Sequence, residues 1–262
     1  MSSSSLTPDA TERKSWSTLG SEPKSTAHLP SDSGTLLGQV MTPPEIARRM
    51  ATKLLADRPS RKVRMVDPCA GPGTFASALN AGALLGEGDV LVGLDIDAGM
   101  VGTAKRNASN FNFRAEYRAD DYLLTPLEQS DYVIMNPPYV RQEWISLKAE
   151  YQEAVRRLWN SVPQATSNLY VYFAAKAIAE LTEGGRFAFI MYDSWQYTLF
   201  GSWLKDLIFS NAIEIEIEPA GPQPFSGRLI DATIVFGRKR TPEGKTLVTK
   251  QRRKQIGKDD QT

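Results

Sequence analysis

Asp131-Tyr-Val-Ile-Met-Asn-Pro-Pro-Tyr139 decides how the rest of this chain is read. Tyr132 to Met135 is a short apolar strand that stops at Asn136-Pro137-Pro138-Tyr139. Two successive prolines have no N–H for a sheet ladder and hold the backbone extended. An amide side chain, a carbonyl with a fixed neighbour and an aromatic ring are thereby held stiffly at the carboxyl end of a strand. In an open α/β sheet that rim is where ligands bind. Asn136 Oδ1 and the Pro137 carbonyl both accept hydrogen bonds, and together they suit the two hydrogens of one planar amino group. Tyr139 suits the ring that carries it. A plain strand and proline turn is the bland alternative, but the second proline and the aromatic favour a site for chemistry on an amine.

The chain has 262 residues, enough for one large α/β domain or two small ones. Its 41% hydrophobic and 23% charged content is that of an ordinary globular protein. A net charge of +1 gives no global field for a polyanion, so any nucleic-acid contact has to come from local basic patches. With one cysteine, Cys69, no internal disulfide forms, which points to a reducing compartment. The one histidine, His28, lies in a polar segment, so histidine-based metal sites and triads are excluded, and no metal is expected. No stretch is long and apolar enough to span a bilayer.

Residues 1–34 are rich in Ser, Thr and Pro and read as a disordered tail. Gly38-Gln-Val-Met-Thr-Pro-Pro-Glu45 leads into a helix, with Thr42 expected at the N-cap, Pro43 at the first helical position and Glu45 completing a capping box. The exposed amides of that first turn suit an anion. Val63–Asp67 reads as a strand, followed by Pro68-Cys-Ala-Gly-Pro-Gly-Thr-Phe75 and a helix, Ala76–Leu85. Strand, glycine turn and helix form a nucleotide-binding arrangement. Asp67 at the strand tip suits a cation and would repel a pyrophosphate; capping the turn is its alternative role. Asp95 ends the second strand, about twenty residues after the glycine turn, where an acid takes ribose hydroxyls. Asp97 reads as the cap of a helix over 98–107. A third strand, Phe113–Ala119, ends in Asp120-Asp121-Tyr122, where one of the acids suits an amino group. Arg141–Val162 reads as a helical excursion with mostly core-facing aromatics, and Leu169–Leu181 as an apolar helix stopped by Gly184-Gly185. Further elements are a strand over Arg186–Met191, a helix over Trp195–Ser210, and strands over Ile213–Glu218 and Ile230–Phe236. Residues 35–238 thus form one doubly wound, Rossmann-like α/β domain, mostly parallel with an antiparallel final hairpin. Residues 239–262 form a basic, polar tail.

In order and spacing these motifs resemble the gamma class of amino-group DNA methyltransferases, enzymes of restriction–modification systems that use S-adenosylmethionine. The likeness runs from Gly38 to Phe236, and it implies the class I methyltransferase fold. Carried onto this chain residue by residue, it implies a cofactor site of Met41, Thr42, Asp67, Cys69, Ala70, Gly71, Gly73, Asp95, Ile96, Asp121, Tyr122 and Asn136. Asp121 is preferred to Asp120 for the cofactor's adenine. It implies catalysis by Asn136, Pro137, Pro138 and Tyr139, with Phe225 as an aromatic wall for a flipped base.

The implied reaction is methyl transfer to the N6 amine of adenine in double-stranded DNA, in a prokaryotic, phage or plasmid-borne cytoplasmic setting without membrane contact. The chain departs from the family where relatives carry a target-recognition domain after the last strand; the reader of DNA sequence is expected to be missing here, supplied by a separate specificity subunit, or reduced to loops. The rivals are a protein glutamine N5-methyltransferase, whose substrate amide is also planar, and a cytosine N4 enzyme. Two others are a non-catalytic cofactor-binding subunit of a modification complex and, on the glycine spacing alone, a nicotinamide oxidoreductase.

Overall fold

The computed structural model describes residues 40–221, 224, 231–241 and 248–250. The expected N-terminal tail, Phe225 and most of the expected C-terminal tail lie outside the described residues. The chain runs α1 (Pro44–Leu54), β1 (Arg64–Asp67), α2 (Thr74–Ala81), β2 (Val90–Asp95), α3 (Ala98–Asn107), β3 (Arg114–Ala119) and β4 (Ser130–Met135). It continues α4 (Lys148–Trp159), α5 (Leu169–Glu180), β5 (Leu181–Tyr192), α6 (Leu199–Asn211), β6 (Ala212–Pro219), β7 (Ala232–Lys239) and β8 (Val248–Lys250). One sheet holds all eight strands in the order β3-β2-β1-β4-β5-β7-β6-β8.

Strands β1 to β5 pair in parallel. β7 inserts between β5 and β6, antiparallel to both. This is the α/β class I methyltransferase architecture expected, and the final pair is the expected antiparallel hairpin. β8 adds a short parallel edge strand beside β6. Parallel strands are covered on both faces, so they carry continuous apolar runs. β4 fits that pattern, buried at every position but Asp131. Asp131 instead accepts from Arg64 N at 2.9 Å and pairs with Arg61, tying β4 to the segment entering β1.

The strand order reverses between β1 and β4. Right-handed crossovers on either side of that point send their connections to opposite faces and open a crevice at the carboxyl ends. The loops after β1 and after β4, Pro68–Gly73 and Asn136–Tyr139, both leave the sheet at this crevice. Topology alone therefore brings the two motifs together.

Among the boundaries that differ from expectation, α2 runs Thr74–Ala81 where Ala76–Leu85 was expected, and three others differ for local reasons. Pro43, not Thr42, is the N-cap of α1, and no side chain caps it. The Thr42 hydroxyl is engaged across the crevice instead, and Pro44 at N1 has no N–H to satisfy. Gly184 and Gly185 do not stop α5, which ends at Glu180; β5 begins at Leu181 and runs through them, with a register irregularity against β4. Trp195 lies in a 3₁₀ turn, Asp193–Gln196, ahead of α6 rather than inside it. The excursion after β4 is helical, with Tyr151, Val155 and Trp159 of α4 buried as expected, while Trp144 is 63% exposed in a 3₁₀ turn. Among the described residues no helix is long and apolar enough to cross a membrane.

Candidate active site

The glycine turn is built for close approach. Gly71 (φ +53°) and Gly73 (φ +85°) sit in left-handed conformations that other residues adopt only under strain. A Cβ built on Gly71 meets nothing within 4 Å, so the turn borders open space there. Gly93, opposite Tyr117 in the β2–β3 ladder, lets that ring slide under the turn: a Cβ at Gly93 would lie 2.5 Å from it. The Tyr117 hydroxyl is buried beneath the turn with no protein partner. Burial, and then the charge of Asp67, push its pKa up.

Asp67 is 1% exposed and accepts a long hydrogen bond from Cys69 N, 3.3 Å. Burial, with Asp95 adding like charge, pushes its carboxyl up to about 8. A buried carboxyl so poorly compensated is a place for a cation. Asp95 accepts from Gly71 N at 2.8 Å and from Asp97 N at 2.9 Å, which fixes its carboxylate at the rim. Asp97 caps α3, accepting from Gly99 N and Met100 N. Ile96 and Met41 are exposed on the same rim.

Asn136 joins three segments of the site. Its Nδ2 donates to Val40 O at 2.8 Å and to Thr42 Oγ1 at 2.9 Å, and its backbone carbonyl accepts from Cys69 Sγ at 3.0 Å. Two acceptors around one side-chain atom identify it as the amide nitrogen. Its Oδ1 is buried and has no partner. Buried carbonyl oxygens are normally satisfied, so an unpaired one at a crevice mouth is an acceptor waiting for a donor. Cys69 lines the site and holds the backbone of Asn136; burial raises its pKa, which makes it a poor nucleophile. Pro137 is buried and Pro138 partly so.

Tyr139 is held on several sides. Its hydroxyl donates to Ile190 O at 2.8 Å, its ring stacks on Tyr192 at 3.8 Å and 6°, and Tyr170 lies 6.1 Å away, tilted by 60°. The ring expected to lie open in a cleft is thus already covered, by an aromatic that sequence reasoning passed over. Asp121 accepts from Leu123 N at 2.9 Å and from the Tyr151 hydroxyl at 2.6 Å, and burial raises its pKa. Tyr122, expected beside the cofactor, points into the core instead, donating to Glu180 Oε2 at 3.0 Å under the Lys176 ammonium. That ammonium pairs with Glu180 and donates to Thr125 O at 3.0 Å, bracing the loop that carries Asp121. Phe225 lies outside the described residues. No cluster of metal-ligating side chains occurs among the described residues.

Tyr117, Tyr151 and Tyr192 are the residues sequence reasoning missed. Tyr117 had a signal, a bulky residue in the strand beside a glycine-bearing one; the other two had none beyond being aromatic.

Residues 102–218 match the family described as Eco57I restriction-modification methylase. The chain is 36% identical over 91 residues to the type II methyltransferase M.PaeR7I of Pseudomonas aeruginosa, covering 34% of this chain and 15% of that protein. Over 215 residues it is 29% identical to the type II methyltransferase M.TthHB8I of Thermus thermophilus, covering 80% of this chain and 47% of that protein. The chain thus spans less than half the length of either relative. Its fold matches the methyltransferase subunit of a type I restriction–modification system from Streptococcus thermophilus, with a TM-score of 0.63 at 15% identity, over 78% of this chain and 46% of that one.

Proposed function

We propose that this chain, whose residues 102–218 match the Eco57I restriction-modification methylase family, methylates the N6 amine of adenine in double-stranded DNA, using S-adenosylmethionine. The observation that carries the proposal is Asn136 Oδ1, an unpaired buried acceptor at the crevice between the glycine turn and the proline motif.

The residues around the crevice fit the donor. Asp67 suits the ammonium of its amino-acid end, and the Thr42 segment with the first amides of α1 suits its carboxylate. Asp95 suits the ribose hydroxyls, and Asp121 the adenine amine, with Tyr151 oriented toward the same carboxylate. When bound, S-adenosylmethionine supplies an electrophilic methyl group on a sulfonium.

The chain's own contribution is placement and polarisation. An aromatic amine is a weak nucleophile because its lone pair is delocalised into the ring. Asn136 Oδ1 and the Pro137 carbonyl, accepting its two hydrogens, draw the lone pair out of the ring plane toward the donor. Nδ2 is fully used on Val40 O and Thr42 Oγ1, so the amide cannot flip and offer a donor instead. That lock is a preorganised acceptor, which lowers the reorganisation cost of reaction. Holding the partners in line contributes the rest. Tyr139 faces the base, and its electron-rich ring favours positive charge developing on the amine. Extruding a base costs a few kcal/mol, which stacking of about 1–3 kcal/mol partly offsets. No histidine is needed, since the methylated amine sheds its proton to water.

The test is transfer of tritiated methyl from S-adenosylmethionine by the full chain to unmethylated genomic DNA, beside a glutamine-bearing peptide. Label in the DNA alone is expected. Label in the peptide alone would replace the proposal with the glutamine chemistry.

A further inference from the structure

Asp67, Gly93 and Tyr117 form one row across three neighbouring parallel strands, β1, β2 and β3. Residues level with each other in such a row point to the same face of the sheet. The middle position has no side chain, and the Tyr117 ring fills its place: a Cβ on Gly93 would lie 2.5 Å from that ring. The ring thus lies along the row with its hydroxyl on the β1 side. There it sits under the turn, where a Cβ on Gly73 would stand 3.1 Å from the phenol oxygen. Both ends of the row are short of partners among the described residues. Tyr117 is 6% exposed and its hydroxyl has none, while Asp67 accepts the long bond from Cys69 N. A buried hydroxyl normally has an acceptor. Its hydrogen rotates to suit its surroundings with no heavy atom moving, and the strongest acceptor along this row is the Asp67 carboxylate.

We propose that Tyr117 is a positioning residue for the cofactor: its O–H points along the row at Asp67 and stabilises the charged carboxylate that takes the ligand's ammonium. The proposal deepens the reading of Asp67 given above and rests on it. Tyr117 touches no ligand and acts through Asp67, from behind the glycine turn. A neutral Asp67 gains little from the hydroxyl, so its effect is largest where binding has to draw a proton off that carboxyl. The titratable groups that face Asp67 are Cys69 on the turn, Asp95 at the end of β2 and Tyr117 itself. Burial holds the Cys69 thiol and the Tyr117 phenol well above their ordinary values. Asp95 stays bonded to Gly71 N and Asp97 N whichever residue stands at 117.

Calorimetry gives the Kd of S-adenosylmethionine for the full chain, as wild type and as Tyr117→Phe, from pH 6 to 9.5. At pH 7 the variant's Kd is about 5-fold higher, the net strength of one hydrogen bond written as an affinity ratio. The gap closes above pH 9, where Asp67 is charged in both free proteins. Equal Kd values at pH 7 overturn the proposal. So does a gap of the same size at every pH, which would mark lost packing. Urea unfolding without ligand is the second readout. Removing the donor raises the folded-state pKa of Asp67 further, so the stability that wild type loses as pH rises to about 8 goes on being lost in the variant beyond it. Between pH 7 and 9.5 the variant's folding constant therefore falls about 5-fold relative to wild type. In an Asp67→Asn background Tyr117→Phe brings no such pH-dependent loss. Should Tyr117→Phe not fold, Tyr117→Met, which also lacks the hydroxyl, gives the same comparison. If wild type binds no S-adenosylmethionine, the reading of Asp67 as the ammonium's partner falls. The unfolding data still decide whether Tyr117 serves Asp67, and stability curves that stay parallel above pH 8 overturn it.

Discussion

Asp67→Asn separates what the site does for its ligand from what it costs the fold. The Asp67 carboxyl lies at the tip of β1, 1% exposed, and its pKa is pushed from 3.8 to about 8 by burial first and by Asp95 second. A folded-state pKa above the unfolded one means that the folded protein holds a proton the unfolded chain has released. Its contribution to stability is complete below about pH 4 and is lost as pH rises toward 8. At pH 7 the loss covers about three pH units at about 1.4 kcal/mol each, on the order of 4 kcal/mol. Asparagine is neutral in both states and removes it.

Urea unfolding of both proteins from pH 5 to 8.5 should show the variant gaining on wild type as pH rises, with the gap levelling near pH 8. Burial raises the Asp95 carboxyl too, with the same sign, so the difference between the two proteins, not the wild-type slope, is the quantity to read. The cofactor reverses the order. Wild type gains stability with S-adenosylmethionine by mass action, and Asp67→Asn does not. Below pH 8 wild-type affinity rises with pH as Asp67 gives up its proton, and above it falls as the ligand's α-amino group, with a pKa of about 8, loses its charge. Parallel stability curves for the two proteins would refute the assignment of Asp67 as an uncompensated carboxyl awaiting a cation.

Asn136→Ala should abolish methyl transfer and also weaken cofactor binding, because Nδ2 anchors Val40 and Thr42. Losing those two bonds, at about 1 kcal/mol each, lowers affinity by roughly 30-fold, measurable by calorimetry. Gly93→Ala places a methyl group 2.5 Å from the Tyr117 ring; overpacking of about 1–3 kcal/mol should lower Tm and deform the glycine turn above it. Tyr151→Phe removes the 2.6 Å hydrogen bond to Asp121. It should raise the cofactor Kd a few-fold with kcat unchanged at saturation, in steady-state kinetics.

Much of this site is legible in the sequence because it is written in backbone constraints. Two prolines after an apolar run mark where β4 ends. Two glycines after Asp67 mark a turn that needs positive φ, and both Gly71 and Gly73 have it. An acid after each of two strands sets Asp67 and Asp95 on one rim, where the Asp95 carboxylate reaches Gly71 N. Asp97 is a cap by its place ahead of a helix, and it caps α3.

What the sequence does not show is where side chains go when a distant segment competes for them. Thr42 looks like a helix cap, but Asn136, 94 residues away, draws its hydroxyl off. Tyr122 sits next to Asp121 yet turns inward, because Glu180 and Lys176 on α5 make a buried partner for its hydroxyl and ring. Tyr192 follows a strand like any aromatic, and only the fold lays it on Tyr139. Gly184-Gly185 reads as a helix stop by local rule; pairing of β5 with β4 carries the strand back through it.

The most direct test is the identity of the methylated nucleoside. Unmethylated genomic DNA is incubated with S-adenosylmethionine and either the full chain or its Asn136→Ala variant, digested, and resolved by mass spectrometry. An amide locked by Val40 and Thr42 to present its oxygen to an adenine amine predicts N6-methyladenine from wild type and no methylated base from the variant. N4-methylcytosine as the product, or N6-methyladenine formed equally well without the Asn136 side chain, would contradict it.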